Sequence, residues 1–331
     1  FRTHVGAGEA LLYSLSSGDP TPFPRIARTE IIAVDIQTGK RRVVFSDAGL
    51  DWLLLPAYPG GGERQTMVAA GGRIFARGMP RKNYAGGWPT SPASIYELEM
   101  DGSNVARKVF DIEGSGETGS NFRNLFADAD GARAGYLTYE NGKPWLHLRE
   151  TSQGTLLRRI DLSRVALDCL VTNIGFSPDG QQIFFTLDTG DDDATSKASF
   201  RRVGSYMMKT DGSAPARTAR ISNLVAPLSG GRNLYSGPAP SSFLYITETG
   251  SKARRDYRTS ATGVLDFFRV SPDGGTVAFV EEQRTYKPAA VLALIVRWLD
   301  LESGREQALP AVSTRPVVLP WVNLIGWAAA K

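Results

Sequence analysis

Ser-Pro-Asp-Gly occurs twice in this chain, at residues 177–180 and 271–274, and each copy joins two short apolar runs. Proline presets φ in such a turn, and Asp and Gly tolerate the backbone that closes it. The same order of elements surrounds both copies. Val171 to Phe176 precedes the first turn and Gln182 to Leu187 follows it. Ser205 to Lys209 is a third run, closed by Thr210-Asp211-Gly212-Ser213, and Arg217 to Ile221 is a fourth. Around the second copy stand Leu265 to Val270, Thr276 to Glu281, Val291 to Leu299 and, after Asp300-Leu301-Glu302-Ser303-Gly304, Arg305 to Leu309. Short β-rich runs separated by turn residues predict strands, and four in succession predict an antiparallel meander.

Looser copies fill most of the remaining chain. One holds Phe122 to Ala127, Asp128-Ala129-Asp130-Gly131, Arg133 to Tyr139, Trp145 to Arg149 and Leu156 to Ile160. Another holds Thr66 to Ala69, Gly71-Gly72, Arg73 to Ala76, Ser94 to Met100 and Ala106 to Phe110. The first unit, Ala10 to Leu15, Glu30 to Asp35 and Arg41 to Phe45, lacks an innermost strand, which the apolar tail Val322 to Trp327 is expected to supply. A lone meander leaves its faces bare, whereas several stacked around an axis cover one another. The chain therefore predicts an all-β, six-bladed β-propeller over residues 1–331, one domain, closed by its C-terminal strand. Shared over six blades, 331 residues give about 55 each, above the usual WD-repeat length. The surplus is expected in loops at Met79 to Pro92, Thr189 to Arg202 and Gln283 to Ala290. Leu234 to Thr249 shows only Ser242 to Thr247 as a clear strand, and seven blades are the alternative if that region hides two.

The segments IGFSPDGQQIFFTLD and FRVSPDGGTVAFVEE resemble the repeat of TolB-type propellers, also called WD40-like or PD40 repeats. SYMMKTDGS, IYELEMDGS and IIAVDIQTG resemble the later strand of that repeat with its Asp-Gly or Thr-Gly ending. The resemblance implies a propeller and an exported bacterial location. It implies no single activity, because related propellers serve as protein-docking scaffolds, as gating domains of prolyl-oligopeptidase-like peptidases and as lyases. The Pro-Asp-Gly residues are fold residues in that family and take no catalytic role here.

Composition narrows the classes. With 42% hydrophobic and 22% charged residues the chain is not disordered. Gly 35 and Pro 19 favour many turns over a helical bundle. The longest apolar run, Ala289 to Val296, falls far short of the ~18 residues of a membrane helix, so no membrane span is expected. Net charge is +4, carried partly by the pairs Arg41–Arg42, Arg81–Lys82, Arg107–Lys108, Arg201–Arg202 and Arg254–Arg255. Scattered pairs fit solvated outer strands and give no nucleic-acid footprint. Cys169 is alone in an apolar stretch and reads as a buried structural thiol. The chain begins at Phe1 with neither Met nor a leader segment. A processed or trimmed chain, and an extracytoplasmic (periplasmic or secreted) location, are expected.

Candidate chemistry is sparse. No Gly-x-Ser-x-Gly elbow is present, and only His4 and His147 could serve as bases or metal-ligating imidazoles, too few for a triad or a histidine-built lyase site. The acidic run Asp188, Asp191, Asp192 and Asp193 is a Ca²⁺ or docking candidate without EF-hand spacing; no other cofactor is expected. Asp35, Asp128, Asp179, Asp188, Asp266 and Asp273 lie near strand ends, where an inward-facing pair would suit carbohydrate hydrolysis. Arg81, Lys82, Tyr84 and Trp88 are expected in a long Gly/Pro loop, and Arg254, Arg255 and Tyr257 in a second loop, GSKARRDYRTS. Aromatics beside arginines are common at interaction hot spots, so both segments are candidate surfaces. The expectation is a monomeric, non-enzymatic binding scaffold that takes a protein partner or glycan at one rim. The alternatives are a carbohydrate-active enzyme and a peptidase-type propeller without its catalytic domain.

Overall fold

Four strands paired in chain order recur around a ring in the computed structural model. The model describes residues 9–19, 25–55, 65–85, 88–89, 93–112, 122–167, 169–189, 202–219, 223–237, 243–248, 251, 253–286, 289–313 and 321–329. Blade 3 is the plainest example: Phe122–Ala127, Arg133–Glu140, Lys143–Glu150 and Leu156–Asp161, each antiparallel to the next. Blade 4 holds Cys169–Phe176, Gln182–Thr189, Gly204–Lys209 and Ala216–Ala219. Blade 5 holds Asn223–Leu228, Arg232–Ser236, Phe243–Glu248 and Arg254–Arg258. Blade 6 holds Val264–Val270, Thr276–Tyr286, Ala289–Asp300 and Glu306–Ala308. Blade 2 holds Met67–Ala70, Arg73–Pro80, Ser94–Leu98 and Ala106–Asp111, and Trp52–Leu54 pairs with the far end of its second strand. In blade 1, Trp321–Ala329 lies innermost, beside Glu9–Asp19, Arg25–Asp35 and Arg41–Ser46. The register runs from Glu9 opposite Ala329 to Ser16 opposite Trp321, so the two ends of the chain close the ring.

The blade count is six, not seven. The weak region is a single blade whose inner strand contains Pro227 and whose outer strand, Arg254–Arg258, shows no polar alternation. The surplus expected as a loop at Gln283 to Ala290 is instead strand, because the hairpin of blade 6 extends to Tyr286 opposite Ala289.

Each joint between neighbouring blades carries its own apolar cluster. Phe75, Phe122 and Tyr136 join blades 2 and 3, Leu146, Phe176 and Phe185 join 3 and 4, and Phe184, Tyr235 and Tyr245 join 4 and 5. Leu234 and Phe279 join 5 and 6, Trp298 and Trp327 join 6 and 1, and Phe45, Leu54 and Ile325 join 1 and 2. Cys169 is buried in the blade 3–4 joint, as its apolar surroundings predict.

The repeated turns explain their own sequence. Ser177 Oγ donates to Asp179 at 2.6 Å and accepts the Gln182 N–H, while Asp179 also accepts the Gln181 N–H. Ser271 and Asp273 repeat the arrangement at 2.5 Å. In the looser copy Asp128 replaces the serine: its Oδ1 accepts the Arg133 N–H and its Oδ2 pairs with Arg133 Nε at 2.7 Å. The Ser177 hydroxyl and the Gln181 N–H hold Asp179 below the ordinary carboxylate range.

Buried acids pin two crossovers between blades. Asp47, fully buried, accepts the Thr29 N–H at 2.7 Å and the Leu54 N–H at 2.9 Å. Burial pushes its carboxyl above the usual range despite those bonds and the nearby Arg81. Glu281 accepts the N–H groups of Thr262 and Gly263 and pairs with Arg297 at 2.6 Å; Arg297 also reaches Glu306 at 3.0 Å. Burial opposes ionisation of Glu281, but the Thr262 N–H and Arg297 outweigh it and hold the carboxyl low.

Candidate functional site

The meander gives the ring two unlike faces. Turns joining the first strand to the second, and the third to the fourth, lie on one face, the turn face. Loops joining the second strand to the third, and the crossovers, lie on the other, the loop face.

The six innermost strands enclose a central channel of about 740 Å³. Its wall includes residues 68–72, 126–129, 173–178, 225–229, 268–274 and 325–328, so it is formed by the turn-face halves of those strands and the turns that follow. Phe126, Phe176, Phe184, Phe268 and Trp327 are its aromatic members, set among small and aliphatic residues such as Ala69, Ala226 and Ile325. Bulges re-aim several inner strands here, with the ladder register shifting between Arg123 and Phe126, Val171 and Asn173, Leu224 and Ala226, and Asp266 and Arg269. Asn124 and Phe267 take positive φ at their bulges, easy for asparagine and strained for phenylalanine. The freed backbone is tied across blades: Asn124 Nδ2 donates to Val171 O at 2.9 Å, and Asn173 Nδ2 donates to Leu224 O at 2.5 Å and Val225 O at 3.1 Å.

Arg269 is the one cation in this wall among the described residues. Nη1 donates to Phe268 O at 2.6 Å, and the Trp327 indole N–H donates to Arg269 O at 3.3 Å. Desolvation lowers the guanidinium to about 10, with Asp266, three residues earlier, supporting the charge. Nothing in the sequence reading singled out Arg269. Its one trace in the sequence is that, aligned on the Ser-Pro-Asp-Gly turns, Arg269 stands where blade 4 has Gly175, which by itself names no role.

The carboxylates near the channel are engaged elsewhere. Asp128 and Asp273 border it from different blades, each bonded within its own turn. Asp35 is likewise taken up in a turn, accepting the Gln37 and Thr38 N–H groups. Asp266 accepts the following N–H, of Phe267. His147 is buried in blade 3, stacked on Tyr136 at 4.7 Å with Nε2 2.9 Å from Thr138 Oγ1. His4 lies outside the described residues.

The two sequence-expected surfaces do not meet. Arg81 and Lys82 form a short turn at the loop face, where Arg81 donates to Leu50 O and Asp47 O and so fastens the crossover. Tyr84 and Trp88 lie on the two arms of a small ladder, Tyr84–Ala85 with Trp88–Pro89; their side chains are outside the described residues. Arg254, Arg255 and Tyr257 belong to the outer strand of blade 5 rather than to a loop, and its first residues lie toward the turn face. Tyr257 is a correction: it is buried, and its hydroxyl donates to Leu301 O of blade 6 at 2.6 Å. Arg254 lies 4.0 Å over the Tyr245 ring, and Arg255 donates to Glu302 O. Asp188 is exposed at the loop-face end of its strand, and Asp191, Asp192 and Asp193 lie outside the described residues. Among the described residues, no three His, Cys, Asp or Glu side chains gather as a metal site. No helix there is long and apolar enough to cross a membrane.

No family model and no curated protein matches the sequence. Solved structures do match the fold. TolB from Acinetobacter baumannii is similar over 96% of this chain and 66% of its own, at 14% identity and TM-score 0.59. A putative TolB from Agrobacterium tumefaciens is similar over 95% and 99%, at 17% identity and TM-score 0.52. Puromycin hydrolase is similar over 95% of this chain at 14% identity and TM-score 0.52, and the chain spans 55% of it. At these identities the shared property is the fold.

Proposed function

From a six-bladed propeller of the TolB-like fold, we propose that this chain is a non-enzymatic, extracytoplasmic binding protein that receives its ligand in the central channel from the turn face. The carrying observation is the channel itself, about 740 Å³ and lined mainly by apolar residues, five of them aromatic. Its size and lining suit a binding site with few polar groups to fix orientation. The bordering acids Asp128 and Asp273 are held within separate turns, and His147 is packed inside a blade, which favours retention of a ligand over its hydrolysis. The rim residues Arg81 and Lys82 keep a secondary place, because Arg81 is already bound to the crossover.

The test is native mass spectrometry of protein isolated gently from its own cells, wild type beside Ala226→Trp, which places an indole in the channel wall. The expected result is a compound or partner retained by wild type, lost from the plugged variant and released unchanged on incubation. Equal retention by both, or conversion of the compound, would contradict the proposal. A second reading, the propeller part of a peptidase-type protein, is favoured by the 55% span of puromycin hydrolase. Capture of a separate hydrolase chain at the turn face would support it.

A further inference from the structure

The wall of the channel contains a cation whose hydrogen-bonding capacity is largely unused. Arg269 Nε is buried and has no hydrogen-bond partner, and only Nη1 of the guanidinium is bonded, to Phe268 O. Nη2 makes no hydrogen bond to any described residue, nor does any described carboxylate lie within ion-pair distance of Arg269. Arg269 is partly buried, and the other partly buried arginine of this blade is treated differently: Arg297 is held between Glu281 and Glu306. A guanidinium taken out of water without a partner costs free energy, and so does each buried N–H left unbonded. Burial also makes Arg269 a weaker base than usual, about 10, so the protein maintains an under-compensated charge beside open space. Its backbone is held by Trp327, which donates to its carbonyl, and follows a bulge at which Phe267 takes positive φ.

We propose that the channel is a specific anion site in which Arg269 anchors a carboxylate carried on an apolar body. Nη2, which bonds to no described residue and is not buried as Nε is, is the donor left for a carboxylate oxygen, and the charge of the guanidinium strengthens that bond. Phe268 and Trp327 beside it, with Phe126 and Phe176 in the same wall, accept an aromatic or aliphatic frame. This inference rests on the channel being the binding site, and adds the chemical class of what enters it. The carboxylate can belong to a free small acid or to the end of a peptide, and the experiment separates the two.

The experiment follows the arginine Nε–H signals of ¹⁵N-labelled wild-type protein during titration with benzoate. Benzamide, inorganic phosphate and the capped peptide acid N-acetyl-Leu-Phe are titrated in parallel. Expected is one arginine signal that shifts saturably with benzoate at millimolar concentration and at least tenfold more weakly with benzamide. Arg269→Gln should abolish that signal and the discrimination, and Arg269→Lys should retain at least half of the preference for acid over amide. Tighter binding of N-acetyl-Leu-Phe than of benzoate assigns the site to a peptide terminus, and the reverse order to a small acid. Equal response to benzoate and benzamide, a preference for phosphate over both acids, or discrimination that survives Arg269→Gln would overturn the proposal. If no acid binds while the Ala226→Trp plug still releases a native ligand, the anion site falls and the channel reading stands.

Discussion

At the scale of single residues, the molecule spends its polar side chains on backbone. Asp47 is buried to accept two N–H groups from separate strands. Asparagine there would set an amide NH₂ against one of those donors. Asp47→Asn should therefore cost about 1–3 kcal/mol, read from urea unfolding midpoints. Gly71 shows the same economy of space. It has φ near +57°, and a Cβ there would stand 1.9 Å from Asp130 O in the next blade. Gly71→Ala should cost more than about 2 kcal/mol, whereas Gly39→Ala, with nothing within 4 Å of the added carbon, should cost only the strain of its positive φ. Thermal unfolding of the two variants side by side checks the difference. The turn serines and aspartates were legible in the sequence because each does a local job. Arg269 was not, because a lone arginine in an apolar run acquires meaning only when the other five inner strands are placed around it.

At the scale of elements, the strands of five blades could be read from their runs and turns, and the inner and outer strands of blade 5 were the hardest. Phe122–Ala127 falls where its apolar run predicts. Arg254–Arg258 did not announce itself, because an outer strand meets solvent along most of its length and only Tyr257 is buried. The expected loop surface there was a misreading of that missing alternation. Asn223–Leu228 was obscured by Pro227, which the bulge between Leu224 and Ala226 and the following turn accommodate. Inner strands are joined sideways by asparagine amides, a feature with no periodic signature. Asn173→Ala should remove both bonds to blade 5 and lower stability by about 1–2 kcal/mol. Hydrogen exchange should show faster opening along residues 223–228 than in blade 3.

For the whole molecule, charge linkage sets the pH limits. Asp111 is held below the ordinary carboxylate range by the Ser94 hydroxyl, Asp161 by Ser163, Asp211 by Ser213, and Glu281 by the Thr262 N–H and Arg297 against the opposing effect of burial. A lowered native pKa gives stability that is present above the unfolded value and lost as pH falls through the native one. Asp47, raised by burial, acts in the opposite sense but alone. Stability should therefore fall below about pH 4. At the alkaline end Tyr13, Tyr139, Tyr235 and Tyr257 are raised by burial, so their contribution is present below the unfolded value and lost as pH rises through the native ones. Arg269, lowered to about 10, works against that loss, since the native state releases its proton first. The two effects oppose each other, so Arg269→Gln should make unfolding midpoints fall more steeply above about pH 10 than they do in wild type. A flat profile across both limits would show that these bonds do not persist in solution.

The ring, its six blades and its closure by the C-terminal strand are consequences of a repeat visible in the sequence; the ligand is not, because the channel is assembled from six distant segments. The most direct measurement is a crystal structure of the protein isolated from its own cells without extraction of bound material. Density for an organic molecule or peptide end is expected in the channel, with a carboxylate against the Arg269 guanidinium. A channel holding only water, with a partner seated on the loop face at Arg81 and Lys82, would contradict it.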